Sequence, residues 1–321
     1  MTKAVIAIHG GAGAISRAAM SAEKEQAFRA ALHAVISAGQ QILAAGGSAL
    51  DAVTEAVRLL EACPLFNAGK GAVFTHQGTH ELDACIMDGR TLDVGAVAGV
   101  SRIRHPILAA RGVLEKSPHV LLIGAGAEAF AEAQGLEPVE PDFFSTPERW
   151  EQLQRALTLQ HSVLDHDGAA AQSGAEPLDP DRKMGTVGAV ACDLHGNLAA
   201  ATSTGGMTNK QAGRVGDSPL PGAGCYASNE TAAVSCTGTG EVFIRTLAAY
   251  DVAAQMAYGG RTLQQAAASV IHDKVQELEG CGGLIAVDSH GNVVLPFNSE
   301  GMYRGFAFVD GEIEVAIYRD N

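Results

Sequence analysis

A strand in the middle of the chain begins directly after a long aperiodic segment. Residues 161–184 are polar, contain Gly, Ala and Pro, and show neither helical nor strand periodicity. Gly185 and Thr186 then open the run GTVGAVACD, which is typical of a buried strand. A connection of this length inside a compact domain is usually functional or disordered. We interpret the segment as a flexible linker that ends at about Gly185.

The other predicted elements occur in groups of helices and groups of strands. An N-terminal strand precedes two amphipathic helices, in residues 24–47 and 48–63, and hairpin-like strands follow them. The stretches 188–207 and 283–302 are identical at eight of twenty aligned positions and share the pattern Asp-x-His-Gly-Asn. They predict two similar hairpins in stacked sheets. The order of elements favours an α+β fold with antiparallel sheets, layered as a sandwich with helices outside.

Composition limits the partners and the compartment. The chain has 321 residues and a net charge of −14, which disfavours binding to nucleic acids or anionic membranes. No apolar stretch is long enough to span a bilayer, and the run that follows Met1 is too short for a secretory signal. The six cysteines contain no CxxC pair. We therefore expect a reduced, cytoplasmic protein.

Motifs for metals and nucleotides are weak or missing. The eleven histidines contain no HExxH motif and no evident cluster, and we interpret them as structural or surface residues. The segment Gly10–Ala14 follows a strand, but Ser16 replaces the third glycine of a dinucleotide-binding loop. Neither a Walker motif nor a GxSxG elbow is present. No metal or organic cofactor is therefore expected for catalysis.

Thr186 differs from the other threonines that lie beside glycines, because cleavage before it would free an α-amino group. Such an amine has a pKa of about 7.7–8.0, so a fraction is neutral near pH 7 and can accept the proton of the residue's own hydroxyl. This is the activated nucleophile of enzymes that use an N-terminal threonine. Gly185 favours attack at its own carbonyl because it has no Cβ. The Gly185–Thr186 bond is therefore a candidate cleavage site.

The order of motifs resembles that of the plant-type L-asparaginases and isoaspartyl aminopeptidases, a family of N-terminal nucleophile hydrolases, and is close to their bacterial type III branch. The motifs run over nearly the whole chain: HGGAGA, NAGKGAVFT, ELDACIMDG, GAVAGV, KMGTVGAV, ATSTGGMTNK, GRVGDSPLPGAGCYA and CTGTGE. The resemblance implies one hydrolase domain over residues 1–321, folded as a four-layer αββα sandwich. It also implies autocatalytic cleavage into an α chain (1–185) and a β chain (186–321), which assemble as a dimer of αβ heterodimers.

The same resemblance implies the catalytic groups. Thr186 would be the nucleophile for both self-cleavage and hydrolysis, and Thr204 would hydrogen-bond to it. The hydroxyl of Thr237 and the N–H of Gly238 would form the oxyanion hole. By itself, a Gly/Thr turn such as TGTGE is a weak signal for donors aimed at a developing oxyanion.

The resemblance also implies the binding groups. Arg214 would bind the α-carboxylate of the substrate and Asp217 its α-amino group, supported by Gly240, while Asn67 would lie near the scissile bond. Main-chain carbonyls of the loop from residue 60 to residue 70 would form a structural sodium site, contributed by Leu60, Glu61, Cys63, Phe66, Ala68 and Lys70.

The residues themselves agree with this substrate class. A substrate with an α-carboxylate and an α-ammonium group needs one fixed cation and one fixed anion, and Arg214 and Asp217 supply both within a Gly-rich loop. The predicted function is a self-processing amidohydrolase that releases L-aspartate from β-aspartyl dipeptides and L-asparagine. Two alternatives stay open. One is a glycosylasparaginase-like hydrolase, although His-Asp usually precedes the nucleophile there and Met184-Gly185 does so here; the other is a non-catalytic homologue of the same fold.

Overall fold

The computed structural model describes residues 3–15, 17–165 and 183–319, and these form the mixed α+β fold that the sequence predicts, with two β-sheets. The strands are β1 (Val5–Gly13), β2 (Leu82–Asp88), β3 (Val94–Val100), β4 (Leu121–Ile123), β5 (Lys183–Met184), β6 (Thr186–Cys192), β7 (Leu198–Thr204), β8 (Cys225–Ala227), β9 (Ala232–Gly238), β10 (Gly282–Asp288), β11 (Val293–Val294), β12 (Gly301–Phe308) and β13 (Glu314–Tyr318).

The α-helices are α1 (Ala22–Ala44), α2 (Ala49–Ala62), α3 (Pro106–Lys116), α4 (Gly124–Ala133), α5 (Pro147–Asp165), α6 (Gly240–Thr246), α7 (Ala248–Ala257) and α8 (Leu263–Ala268). A π-helical segment, Ser269–Val275, continues α8, and two short 3₁₀ helices lie at Arg17–Ala19 and Pro141–Phe144. Within the described ranges, no helix has the length and apolar character needed to cross a membrane.

The larger sheet contains the start of β6. Its described strands run in the order β13-β12-β1-β6-β7-β2-β3-β4, and β5 pairs with β1 beside β6. The pairs are antiparallel, as predicted, apart from the parallel pair β3–β4. Met184 lies opposite Ala12 and Gly188 lies opposite His9. The strands β5 and β6 therefore follow the same edge of β1, and Gly185 joins them.

The smaller sheet, in the order β11-β10-β9-β8, packs on the central strands of the larger one. Strand β9 contacts β6 and β7, with an apolar layer between the sheets that includes Val190 and Ile285. Helices α1 and α2 cover the other face of the larger sheet, where Val57 and Val187 belong to one core cluster. Helices α7 and α8 contact the smaller sheet on its outer face, where Val234 is buried.

Helix α2 begins at the cap that the sequence predicts. The Asp51 N–H donates to Ser48 Oγ at 3.1 Å, and the Ser48 hydroxyl donates to the Asp51 carboxylate at 2.7 Å. Such a cap contributes about 1 kcal/mol. The apolar face of the helix, with Val53 and Leu60 fully buried, packs against β6 and β7. The end of α2 and the loop after it are thereby held close to the start of β6.

The two related hairpins lie in different sheets, and this confirms the prediction from the internal repeat. Strands β6 and β7 belong to the larger sheet and β10 and β11 to the smaller one, with β10 against β6. Asp193 Oδ1 accepts hydrogen bonds from the backbone N–H groups two and four residues later, at 2.9 and 3.0 Å. Asp288 Oδ1 accepts the same two bonds in the second hairpin. The shared motif therefore encodes the same turn twice.

The predicted linker is shorter at both ends than the sequence suggested. Helix α5 continues through residues 161–165, and residues 183–184 form β5. The segment HSVLD contains neither Gly nor Pro and can extend a helix, so the aperiodic composition begins only after it. Residues 166–182, the rest of the predicted linker, lie outside the described residues.

Gly95 allows helix α3 to pack on β3, and this contact is testable. A Cβ on Gly95 would overlap the Ala110 carbonyl oxygen and the Leu114 amide nitrogen, which are main-chain atoms of α3 and cannot rotate away. We expect Gly95→Ala to lower the free energy of unfolding by about 1–3 kcal/mol, the usual cost of overpacking. Urea denaturation measures this change.

Gly112, within α3, offers a matched control. Its Cβ would meet only Phe130, at 3.6 Å. Gly112→Ala should leave stability unchanged or raise it by about 0.5–1 kcal/mol, because alanine is the better helix former. Equal destabilisation by the two substitutions would contradict the close packing of α3 at Gly95.

Candidate active site

Thr186, the first residue of β6, lies directly opposite Thr204 of β7. Opposed residues of an antiparallel pair point to the same face of the sheet. The Thr186 hydroxyl donates to Thr204 Oγ1 at 3.3 Å, and Ser218 Oγ lies 3.4 Å from Thr186 Oγ1. Thr186 is only 8% exposed. The candidate nucleophile is therefore held between two hydroxyl groups in a nearly closed site.

His9 of β1 binds the main chain of Thr186. Its Nδ1 lies 3.0 Å from the Thr186 carbonyl oxygen, and its Nε2 lies 2.9 Å from Ser235 Oγ. Since a carbonyl only accepts, Nδ1 carries the proton and Nε2 accepts from the serine. Burial lowers the pKa of His9 to about 3, although the bond to the Thr186 carbonyl opposes this shift. The imidazole is therefore neutral and acts as a fixed hydrogen-bonding link.

Gly188 of β6 makes room for this link. It lies between His9 and Thr202 in one row of the sheet, and a Cβ on it would overlap Ser235 Oγ and contact the imidazole. Ser235 Oγ also lies 2.7 Å from Thr202 Oγ1, and the Thr202 hydroxyl is within 3.2 Å of the Gly224 carbonyl oxygen. These bonds join the two sheets directly behind Thr186.

Asn67 packs against Gly185, the residue before the candidate nucleophile. A Cβ on Gly185 would lie 2.8 Å from the Asn67 Cβ. The Asn67 side chain is buried, donates to the Gly206 carbonyl at 2.7 Å and accepts from the Val73 N–H at 2.9 Å. Any larger residue before the candidate nucleophile would displace this amide, which explains the glycine at that position.

Strand β9 carries Thr237 and Gly238 to the same end of the site. Thr237 is fully buried, and its Oγ1 accepts from the Ala12 N–H at 3.4 Å. Ala12 in turn lies opposite Met184 on β5. The Thr237 hydroxyl therefore contacts the strand that runs beside the junction of β5 and β6.

The structure also brings together Arg214, Asp217 and Gly240. A Cβ on Gly240 would lie 2.8 Å from Arg214 Nη2 and 3.0 Å from Asp217 Oδ1, so this glycine allows both charged groups to approach. Asp217 immediately precedes Ser218, whose hydroxyl is near Thr186. The predicted binding residues are thereby connected to the candidate nucleophile.

Glu241 and Ser218, which lie beside the predicted binding residues and the candidate nucleophile, were not predicted from the sequence. The Glu241 carboxylate accepts from Nε and Nη2 of Arg214 at 2.9 Å each, which fixes one edge of the guanidinium and leaves its Nη1 end for another acceptor. A signal for Glu241 existed, because it ends the motif CTGTGE. Ser218 follows Asp217 within GRVGDSPLPGAG, but no spacing rule distinguishes it.

Asp217 is buried, and its Oδ2 has no hydrogen-bond partner among the described residues. Burial raises the pKa of this carboxyl group to about 7, while its own backbone N–H and Arg214 oppose the shift and Glu241 and Asp83 add to it. A cationic group of a ligand would supply the missing partner and favour the ionised form.

The loop from residue 60 to residue 70 closes on itself. The Lys70 N–H donates to the Glu61 carbonyl at 2.7 Å, and the carbonyls of Leu60 and Cys63 also accept backbone bonds, at 3.2 and 3.4 Å. Each of these oxygens keeps a second lone pair for a cation. The Lys70 ammonium lies 5.5 Å from the centre of the Phe143 ring. The predicted ligand carbonyls thus share one closed loop, and the lysine charge is engaged by an aromatic ring.

Side-chain metal ligands are a different matter. Over residues 3–15, 17–165 and 183–319, no group of three or more His, Cys, Asp or Glu side chains could hold a metal ion.

Comparisons with known proteins match almost the whole chain to one family. A family model described as "Asparaginase" matches residues 2–317. The isoaspartyl peptidase of Salmonella typhimurium is 65% identical over 320 residues, which cover 100% of both chains. The isoaspartyl peptidase of Escherichia coli is 64% identical over 100% of this chain and 98% of its own. A probable isoaspartyl peptidase/L-asparaginase of Arabidopsis thaliana is 43% identical over 98% of both chains.

The raised pKa of Asp217 predicts pH-dependent binding of an amino acid. Only the ionised carboxylate attracts an ammonium group, so the affinity for L-aspartate should fall by up to about tenfold for each pH unit below 7. Asp217→Asn should bind more weakly and lose this dependence. Calorimetric titration between about pH 5 and 9 measures both, and a dependence that persists in Asp217→Asn would exclude Asp217 as its source.

The same carboxyl group predicts a change in stability of known sign. Its folded pKa lies above the unfolded value of about 3.9, so the native state binds this proton more tightly. The resulting cost to stability is absent below about pH 4, grows as the pH rises, and is fully present above pH 7. Asp217→Asn should therefore gain stability relative to the wild type as the pH is raised through that window. Urea denaturation at about pH 5 and pH 8 tests this, and a constant difference between the two proteins would contradict it.

Proposed function

Since this chain belongs to the asparaginase family, we propose that it is a self-processing threonine hydrolase that releases L-aspartate from β-aspartyl dipeptides and from L-asparagine. The observation that carries the proposal is the position of Thr186. It starts a buried strand immediately after a glycine, and its hydroxyl lies between those of Thr204 and Ser218. The names of the related isoaspartyl peptidases support the same activity.

Self-cleavage would use the Thr186 hydroxyl on the preceding peptide bond. The hydroxyl oxygen attacks the Gly185 carbonyl carbon, the acyl group moves from the Thr186 nitrogen to its oxygen, and the nitrogen takes the hydroxyl proton. Water then hydrolyses the ester, which gives a carboxylate on Gly185 and a free hydroxyl and α-amino group on Thr186. The contact of the Asn67 side chain with Gly185, and that of the Thr237 hydroxyl with β1 beside β5, support a role for both in holding the reacting groups.

Hydrolysis would use the same oxygen with the new α-amine as its base. The amine accepts the Thr186 hydroxyl proton, and the oxygen attacks the β-carbonyl of the substrate. The developing oxyanion is stabilised by the Thr237 hydroxyl and the Gly238 N–H. The departing amine or ammonia takes the proton, and water releases L-aspartate from the ester. Before that proton moves to the amine, the Thr204 hydroxyl accepts from Thr186 and orients the nucleophile.

Substrate selection would follow from the charged groups. Arg214 presents its free end to the α-carboxylate because Glu241 already holds the other edge. Asp217 Oδ2, which has no partner in the described part of the chain, would receive the α-ammonium group. Together they fix the aspartyl part of the substrate and leave the group beyond the β-carbonyl loosely restrained. Both an amide and an attached amino acid can therefore leave.

The two alternative functions have less support. A glycosylasparaginase-like activity is disfavoured by Met184-Gly185 before the nucleophile and by the peptidase names of the relatives. A non-catalytic homologue is disfavoured because the chain keeps each predicted catalytic and binding residue and brings most of them into contact.

Architecture and assembly belong to the same proposal. Helices α1 and α2, the larger sheet, the smaller sheet, and helices α7 and α8 pack in that order, which supports a four-layer αββα sandwich formed by residues 1–321 as one domain. The processed protein would be a cytoplasmic dimer of αβ heterodimers without nucleic-acid or membrane partners. Sedimentation should then give roughly 66 kDa, twice the 33.0 kDa chain, and a mass near that of one chain would exclude the dimer.

A sodium ion bound by loop carbonyls would be structural, and no cofactor would act in catalysis. The closed loop after α2 and the engaged Lys70 side chain support this part of the proposal. Dialysis into a potassium buffer should lower the melting temperature modestly, whereas a chelator of divalent ions should leave turnover intact. Loss of turnover that zinc restores would contradict the mechanism.

Self-cleavage makes a direct prediction for a denaturing gel. The mature protein should show chains of residues 1–185 and 186–321, with masses of roughly 19 and 14 kDa in proportion to their lengths. The smaller chain should begin Thr-Val-Gly-Ala-Val. Thr186→Ala should remain a single folded chain without activity, because the attacking hydroxyl is gone.

Thr91→Ala controls for the loss of a threonine elsewhere, since Thr91 lies in an exposed turn. It should process and turn over substrate as the wild type does. A fully active wild-type enzyme that stays a single 33.0 kDa chain would refute the N-terminal nucleophile mechanism.

Substrate linkage provides the second test of the function. L-Asparagine and β-Asp-Leu should both be hydrolysed, but α-Asp-Leu should not, because its reacting carbonyl would lie one carbon away from the nucleophile. Arg214→Ala should lower kcat/KM, and the corresponding loss of transition-state stabilisation should be about 2–3 kcal/mol, the scale of a lost charge-assisted hydrogen bond. Chromatography of the released aspartate measures all three substrates, and equal turnover of the α- and β-linked dipeptides would overturn the assignment of Arg214 and Asp217.

A further inference from the structure

The nucleophile belongs to a row of three residues on neighbouring strands. Thr186 of β6 lies opposite Thr204 of β7, which lies opposite Asp83 of β2. Directly opposed residues share one face of a sheet, so the three side chains project side by side. This is the face toward the smaller sheet, because Val190 and Cys85, two residues or a multiple of two away on the same strands, belong to the apolar layer between the sheets.

Within the ranges that the structure describes, the Thr204 hydroxyl lacks an acceptor for its proton. Its oxygen accepts from the Thr186 hydroxyl at 3.3 Å and from the Gly206 N–H at 2.9 Å. A hydroxyl oxygen has two lone pairs and one proton, so these two bonds use both lone pairs. Among the described residues, no atom accepts the proton that remains.

Asp83 has a carboxylate oxygen that lacks a hydrogen-bond donor among the described residues. It is fully buried, and its Oδ1 accepts from the Gly99 N–H at 2.9 Å. Its Oδ2 is buried without any hydrogen-bond partner in the described part of the chain. A buried carboxylate oxygen without a partner is costly. A free donor on Thr204 and a free acceptor on Asp83 therefore lie next to each other in one row.

Lys210 supplies the compensating charge. It is 5% exposed, and its ammonium donates to the Glu81 carbonyl at 2.8 Å. Burial raises the pKa of the Asp83 carboxyl; Lys210, the Gly99 N–H and Arg214 oppose this rise, and Glu81 adds to it. Asp217 is also coupled to Asp83 by charge. The Lys210 side chain passes beside Gly206, where a Cβ would lie 2.9 Å from the ammonium.

We propose that Asp83 is a positioning residue for the nucleophile. Its carboxylate accepts a hydrogen bond from the Thr204 hydroxyl, directly or through one water molecule, and Lys210 balances its charge. With its proton directed toward Asp83, the Thr204 hydroxyl keeps its lone pairs directed toward Thr186 and Gly206. The Thr186 oxygen is thereby held in one orientation for attack. The inference rests on the proposed function, since it concerns the same nucleophile.

Asp83→Asn is the first test. The amide keeps the shape of the side chain and an oxygen for the Gly99 N–H, but its second group is an NH₂ that cannot accept the Thr204 proton. Self-cleavage and kcat for β-Asp-Leu should both slow by about tenfold or more, the scale of one lost hydrogen bond of the buried kind. KM should change less than about twofold, because Asp83 touches no substrate group.

Asp88→Asn provides the matched control. It changes the same residue type on the same strand, but Asp88 is partly exposed and lies opposite Ala199, away from the nucleophile. Its cleavage rate and kcat should equal those of the wild type. Slowing of the same size in both variants would overturn the proposal.

A double-mutant cycle separates positioning through Thr204 from a general effect. Thr204→Val removes the hydroxyl and should slow self-cleavage. If Asp83 acts through that hydroxyl, Asp83→Asn should add no further slowing in the Thr204→Val background. Independent, multiplying effects on the cleavage rate would overturn the proposal.

A loss of stability could also slow cleavage and turnover in Asp83→Asn, and a charge-balanced variant tests this explanation. Asp83→Asn removes a negative charge that acts on Lys210, so melting temperature is measured with each rate. Asp83→Asn combined with Lys210→Met should recover the melting temperature but not the rates. Recovery of both would show that Asp83 serves stability alone. Absence of cleavage and turnover in the wild type would count against the proposed function, whereas a wild-type rate in Asp83→Asn counts only against this inference.

Discussion

The hydrogen bond from His9 to the Thr186 carbonyl is the interaction on which the proposed site depends. Cleavage before Thr186 would remove the covalent tether on its amino side, and the nucleophile would then be held by its carbonyl, its side chain and the strands beside it. A neutral, buried imidazole supplies a donor of fixed direction there, and Ser235 and Thr202 fix that imidazole in turn. The link also ties the two sheets together, so the nucleophile and the β9 groups keep one relative position.

Small residues are what allow the polar groups to meet. Gly188 leaves room for the His9 ring, Gly185 lets Asn67 approach the candidate scissile bond, and Gly240 lets Arg214 and Asp217 come close to each other. Each of these contacts would be blocked by a single Cβ. One carboxylate oxygen each of Asp83 and Asp217 has no hydrogen-bond partner among the described residues, and the rest of the core offsets the cost of burying them. Such local cost is common where a site is preorganised for a ligand or a reaction.

Much of the candidate site was predictable because its residues stand in short, ordered motifs. Asn67, Thr186, Thr204 and Thr237 were each named from such motifs, and the structure gathers them around one strand junction. His9 was interpreted only as structural or surface, since its partners lie 177 and 226 residues away. Asp83 was part of a motif with no role, because its meaning depends on which strand pairs with β7. The linker was too long because residues 161–165 continue a helix.

The sequence by itself determined the fold class, the start of α2, the repeated hairpin turn and the identity of the candidate nucleophile. These depend on local patterns: a capping pair, the Asp-x-His-Gly-Asn turn, and a glycine and threonine at the start of a strand. Only the tertiary structure decided which hydroxyl meets which, how Glu241 orients Arg214, and that Asp83 completes the row of Thr186 and Thr204. Those contacts depend on strand order and register between distant segments, and a shift of one residue would turn every side chain of a strand to the opposite face.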